Sequence, residues 1–196
     1  MQALLSNIGW ILSPTRKIID RWKQGDREHR GRTLRKWSFG LFALEGTVAV
    51  VLMLFATSSP SNTLSVLSAL AVIYSYSRVF EISYAFYRDP LSPTKDSDLS
   101  TSDRIRMAMR SYFGLAFNFA VLYYFLPVST MFKDPLDGFL EAFYFSGVTL
   151  ATLGYGDVLP IHWFARLLAL SEVFAGIHII AVAIATYVGG IKSEGS

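Results

Sequence analysis

"TLATLGYGDVLP", residues 149–160, is the stretch on which the rest of the chain turns. Two glycines flank a tyrosine, Gly154-Tyr155-Gly156, and Asp157 and Pro160 follow. Glycine weakens the interior of a helix or strand, and serves where the backbone must take left-handed angles or approach something closely. The surroundings are greasy: 52% of the 196 residues are apolar. A backbone turn set in apolar sequence needs partners for its amides and carbonyls.

The segment around it reads "KDPLDGFLEAFYFSGVTLATLGYGDVLPIH", residues 133–162. Asp134 suits a helix cap, Pro135 the first helical position and Asp137 the third. From Leu136 to Leu150 the residues are apolar and aromatic, which predicts a helix of about 15 residues, short for a membrane span at about 1.5 Å per residue. A short apolar helix followed by a glycine-rich turn suggests a re-entrant hairpin that enters and leaves by one face. Non-helical backbone at membrane depth is tolerated only where protein buries it or where it lines a watery cavity. The carbonyls of residues 152–155 are therefore expected to face water or ions. The helix C-terminus near Leu150 adds a partial negative charge that favours a cation.

Four stretches are long and apolar enough to span a bilayer core of about 30 Å: Phe39–Thr57, Leu64–Tyr87, Met107–Val128 and Trp163–Gly190. Lys and Arg set their orientation. Nine of the 18 lie between Arg16 and Lys36, none in 58–63, four in Arg88–Arg106, and only Lys133 in 129–162. Both termini are thus expected in the cytoplasm of a multi-pass cell-membrane protein, with 58–63 and 129–162 outside. Met1–Leu12 is apolar before the charge begins, unlike a secretory signal; it reads as an interfacial helix with Trp10 and Trp22 at headgroup level among membrane lipids. The stretch "RDPLSPTKDSDLSTSDR", residues 88–104, reads as a solvated linker. The organisation is then a basic segment 1–38, a helical hairpin 39–88, a linker 89–103 and a second unit 104–196.

"TLGYGD", residues 152–157, resembles the TVGYGD filter of potassium channels, with Leu153 where valine is usual. "WFARLLALSEVFAGIHIIAVAIATYVGG", residues 163–190, resembles the inner helix of bacterial two-span members, including a glycine at the hinge position, Gly176. The likeness covers about residues 104–190; the hairpin before it has no named counterpart. It implies an all-α membrane protein with four transmembrane helices, and a re-entrant pore helix and filter loop between the third and fourth. It also implies a homotetrameric pore, since one chain carries one filter motif. Thr152, Leu153, Gly154, Tyr155 and Gly156 would hold dehydrated K+, the transported ion. Tyr155 would pack outward on Tyr144 and Phe145, and Asp157 would accept a hydrogen bond behind the filter. Val148 stands where some members carry a glutamate paired to that aspartate.

In the fourth span Ile177, Ile180, Ile184 and Val188 recur every three or four residues, a stripe that by the resemblance lines the cavity and gate, or packs on another helix. Gly176 is a hinge or a close-packing position. Charges inside spans are costly and are functional candidates. Arg78 and Glu81 are three apart and Glu45 is within reach on the preceding span; they act as structural glue or as a sensor. Glu172 and His178, off the isoleucine stripe, face the pore helix or the third span, with Asn118 a candidate partner and His162 at the outer mouth. The regular arginine run of a steep voltage sensor is absent.

With no cysteine, disulfides and thiolate sites are excluded. Neither a metal-ligand spacing nor a nucleophile motif nor a phosphate-binding loop is present, so an enzyme is not expected, nor a nucleic-acid partner. Only six residues follow Gly190, so no soluble ligand-binding domain is expected there. The reading is a potassium-selective channel. Its rivals are a weakly selective cation channel and a subunit of a potassium uptake system.

Overall fold

The computed structural model describes residues 26–55, 65–91, 99–125 and 131–194. Five helices follow one another: α1 Arg27–Phe55, α2 Ser65–Leu91, α3 Thr101–Phe125, α4 Gly138–Leu150 and α5 Trp163–Glu194. The expected interfacial helix at Met1–Leu12, with Trp10 and Trp22, and the loop 58–63 lie outside the described residues.

Each expected span is helical over its described residues, but the starts differ where polar chemistry extends them. α1 does not wait for Phe39. It starts at Arg27, where the Asp26 carboxylate accepts the His29 amide at 2.7 Å, an N-cap that satisfies one of the helix's orphan donors. The cationic run and the apolar run are thus one rod of 29 residues, roughly 43 Å long at 1.5 Å per residue. α3 starts at Thr101, inside the expected linker, because Ser100 Oγ accepts the Asp103 amide at 3.1 Å. Among the described residues, Arg27–Leu54 and Trp163–Gly189 are long and apolar enough to cross a membrane by length and composition. α2 is diluted by Arg78, Glu81 and its serines, and α3 by the charged turns before Ser111.

α3 is the hub. From Gly114 to Tyr124 every residue is buried, and α1, α2, α4 and α5 all pack against it. One apolar cluster runs from Ala49 of α1 and Ile82 of α2, through Leu115, Phe119 and Tyr123, to Leu150 of α4 and Ile179 of α5. The first hairpin and the second unit therefore share a core.

The two ends of the segment between α3 and α5 are closed together by backbone. Lys133 N donates to Leu159 O at 2.9 Å and Ile161 N to Met131 O at 2.8 Å, around an antiparallel bridge between Phe132 and Pro160. This strap joins the start and the end of the segment that holds α4 and the glycine turn. The strap closes the base of a helix-and-turn loop, the segment in which a re-entrant hairpin is expected.

Candidate functional site

α4 begins at Gly138, whose φ is 83°. The sequence reading began it at Leu136 with Asp134 as cap; the difference arises because Gly138 takes a left-handed turn that residues with a side chain avoid. Asp137 occupies the cap position but its side chain makes no cap bond. Its amide instead donates to Glu141 Oε2, one turn on. The helix has 13 residues, roughly 20 Å of length, too short to span a bilayer.

At the other end of α4 the chain turns tightly. Ala151 N donates to Gly147 O at 3.0 Å, Thr152 N to Thr149 O at 2.9 Å and Leu153 N to Val148 O at 2.9 Å. Tyr112 of α3 donates its hydroxyl to Leu150 O at 3.2 Å. Gly154 N also reaches Val148 O, at 3.4 Å, so the carbonyls of the helix end hold the first residues of the turn.

From Thr152 to Gly156 the backbone alternates. Thr152, Gly154 and Gly156 have φ of 58°, 53° and 80°, while Leu153 and Tyr155 between them are not in the positive region. In an ordinary strand successive carbonyls point to opposite sides. Near-mirror-image angles at every second residue undo that alternation, and carbonyls along such a ribbon tend to share a side. Two of the three positions are glycine, where positive φ has little cost; the third, Thr152, carries a strain of roughly 1–2 kcal/mol. Residues 151–157 are all exposed in the single chain, Leu153 at 56% and Tyr155 at 67%.

Tyr144 of α4 donates its hydroxyl to Asp157 Oδ2 at 2.6 Å, and Asp157 Oδ1 accepts the Val158 amide at 3.1 Å. The tyrosine's hydrogen bond holds the Asp157 carboxyl below its ordinary range. Asp157 thus accepts behind the turn, with a phenol as donor where Val148 has none to offer. Phe145 lies apart from Tyr144. It is buried on the far side of α4, edge-on to Tyr123 at 4.9 Å and to Phe132 at 5.1 Å. Within the chain it is not a wall for the Tyr155 ring, because one helical step of about 100° separates it from Tyr144.

α5 meets the root of the turn at Gly176. A Cβ there would lie 2.7 Å from Leu150 Cδ1 and 3.2 Å from Leu150 O, so the glycine lets α5 touch the end of α4. Ile177, Ile180, Ile184 and Val188 lie on an exposed face of α5. Glu172 is fully buried on the opposite side. Its carboxyl accepts from Tyr123 of α3 at 2.8 Å and lies within hydrogen-bond reach of Ser146 of α4, whose single hydroxyl proton is shared between Glu172 and Ala116 O, the latter at 2.7 Å. One carboxylate therefore binds α3, α4 and α5 together. The Nε2 atom of His178 is buried with no hydrogen-bond partner among the described residues, and His162 accepts the Phe164 amide at 3.2 Å at the start of α5.

Asn118 serves neither Glu172 nor His178. It donates to Glu45 Oε1 at 3.1 Å and to Gly114 O at 2.7 Å. Arg78 Nε donates to the same Glu45 oxygen at 2.8 Å and Nη1 to Glu81 Oε2 at 2.8 Å, with the Tyr74 hydroxyl at 3.3 Å from Glu45. The triplet Glu45, Arg78 and Glu81 thus extends to α3. The sequence signal for this was Gly114: a Cβ there would come within 2.8 Å of Glu45 Oε2. Among the described residues no cluster of His, Asp and Glu could hold a metal ion through side chains.

Comparison with known proteins bears on the same segment. Residues 111–191 match the model of a family described as ion channel. The voltage-gated potassium channel Kch of Escherichia coli (strain K12) is 35% identical over 70 residues, 36% of this chain and 17% of that protein. Two pore potassium channel b of Oryza sativa subsp. japonica is 49% identical over 41 residues, 21% of this chain and 12% of that protein. The chain thus spans less than a fifth of the length of either relative. No solved structure matches it. Both relatives are potassium channels by name, and among the described residues of this chain two helices are long and apolar enough to cross a membrane. Most of α3, the short helix α4, the glycine turn and most of α5 fall within residues 111–191, the stretch that matches the ion channel family model.

Proposed function

We propose that this chain is one of four identical subunits of a potassium-selective channel. The backbone from Thr152 to Gly156 lines its narrowest part. The carrying observation is the alternation of positive φ at Thr152, Gly154 and Gly156 directly beyond the end of α4, in a turn exposed in the single chain. Irregular backbone at membrane depth cannot face lipid. Symmetry-related copies around a closed axis cover it while leaving its carbonyls for a dehydrated ion. Four is the number of subunits in the family that "TLGYGD" resembles. The apolar strip Ile177, Ile180, Ile184 and Val188, exposed here, then faces the axis below the filter and serves as cavity wall and gate.

α1, α2, α3 and α5 are the four spans. The Lys/Arg bias puts both termini in the cytoplasm. α2 and α3 cross despite their charges: Arg78 is paired on both sides, by Glu45 and Glu81, and the polar turns of α3 lie at its cytoplasmic end.

Potassium and sodium flux into liposomes holding the full chain tests this. Potassium flux well above sodium flux is expected, and a Gly154→Asp variant that still assembles should lose it. Equal flux of the two cations would favour a weakly selective pore, the reading to which Leu153, bulkier than valine, lends weight. Unchanged flux in Gly154→Asp would sink the pore assignment and return attention to an uptake-system subunit.

A further inference from the structure

α1 and α3 each change from charged to apolar at the same level, and there they lie side by side around a cavity of about 270 Å³. Arg35 and Lys36 line it from α1, and Arg106 and Arg110 from α3. The single carboxylate in its wall, Asp103, is held by Arg35 at 3.0 Å with Arg106 at 3.9 Å. Lys36 and Arg110 pair with no carboxylate among the described residues. The Arg110 guanidinium sits 5.3 Å from the centre of the Phe39 ring, a cation–π contact that fixes it at the rim. The floor is apolar, formed by Phe39 and Met107. Beyond it toward the apolar ends of both helices lie exposed Phe42, Met109 and Phe113.

We propose that this cavity seats the phosphate of an anionic phospholipid, with the acyl chains running along the apolar surface of α1 and α3. Four cations against one carboxylate leave an excess of positive charge. A cluster of this kind at the border of apolar helices is suited to an acidic headgroup. The apolar floor selects among anions. A soluble phosphate gains nothing from Phe39 and Met107, whereas a lipid brings charge and hydrocarbon to the same two levels. Lys36 and Arg110 are the specificity-determining pair, because Arg35 and Arg106 are engaged with Asp103. The inference rests on the membrane placement of α1 and α3, not on conduction.

Thermal unfolding of the purified full chain in a neutral detergent tests it, titrated in parallel with dioctanoyl phosphatidylglycerol, dioctanoyl phosphatidylcholine and inorganic phosphate. The phosphatidylglycerol should raise the midpoint at concentrations where the other two leave it unchanged. A Lys36→Gln, Arg110→Gln double variant should bind it about thirtyfold more weakly, the loss of two surface-type cation contacts. The exposed Lys36→Gln alone should lose part of that and fold normally. An equal shift with phosphatidylcholine or with inorganic phosphate overturns the proposal, as does an undiminished shift in either variant. Potassium flux measured on the same wild-type preparation keeps the two ideas apart. A lipid shift without flux leaves the lipid site standing and removes the channel; flux without a lipid shift does the reverse.

Discussion

Asp157 and Tyr144 form the smallest unit whose behaviour follows from the geometry. The phenol donates to the carboxylate at 2.6 Å, and that bond holds the carboxyl below its ordinary range. A carboxylate with a depressed folded-state pKa adds stability that is complete above its unfolded value of about 3.9. That stability is lost as pH falls through the lower folded value. Tyr144→Phe removes the donor, so the Asp157 pKa should move up toward the ordinary value. Stability should then vary less with pH below about 4. Carbon-13 titration of the Asp157 carboxyl measures this; an unchanged pKa in the variant would show that Tyr144 is a neighbour and not the cause. Thr152 is a different case. Its φ of 58° is a strained angle on a residue that also offers a hydroxyl, and such strain persists where the surroundings over-determine it.

Helices meet through two buried carboxylates, and only part of that was legible in the sequence. Runs of about 20 apolar residues announced α1, α2, α3 and α5, since a run of that length leaves a helix few alternatives in lipid. The glycines at 154 and 156 announced the turn, because left-handed angles call for that residue. What the sequence left open was rotation. Asn118 lies on a helix buried on every face from Gly114 to Tyr124, so periodicity could not say whether it faces α1 or α5; it faces Glu45. Phe145 and Tyr144 are adjacent in sequence and look in different directions for the same reason. Helix starts were open too, because capping by Ser100 or Asp26 is decided by local backbone. Glu45 accepts from Arg78, Asn118 and Tyr74, and so holds α1, α2 and α3 in register. Glu45→Ala leaves the Arg78 guanidinium buried with Glu81 alone and should cost about 3–5 kcal/mol, the usual penalty for breaking a buried pair. Unfolding in mixed micelles, followed by far-UV circular dichroism against a denaturing detergent, checks it; a loss below about 1 kcal/mol would place the network at a wet surface, where ion pairs are weak.

The assembled particle is set by what one chain leaves uncovered. A single copy exposes the turn 151–157 and the strip of α5 from Ile177 to Val188, while its interior around α3 is complete. Interior completeness predicts that a subunit folds before it associates; the exposed turn predicts that it does not remain alone. Light scattering of the detergent-solubilised protein, corrected for bound detergent, should give four copies of the 21.9 kDa chain. A monodisperse species of one or two copies that still conducts would refute the four-fold arrangement. Gly176 links the two exposed regions, since α5 touches Leu150 of α4 there. A side chain at position 176 would therefore press on the root of the turn.

The strap between residues 131–133 and 159–162 has a mechanical meaning. Three backbone hydrogen bonds link its two sides: Lys133 to Leu159, and Ile161 and His162 to Met131. A sideways pull on the start of α5 would be borne by this knot as shear. The thin ribbon above the helix end then hangs as a stirrup from a fixed crossbar, and its spacing is insulated from the lean of the posts on either side.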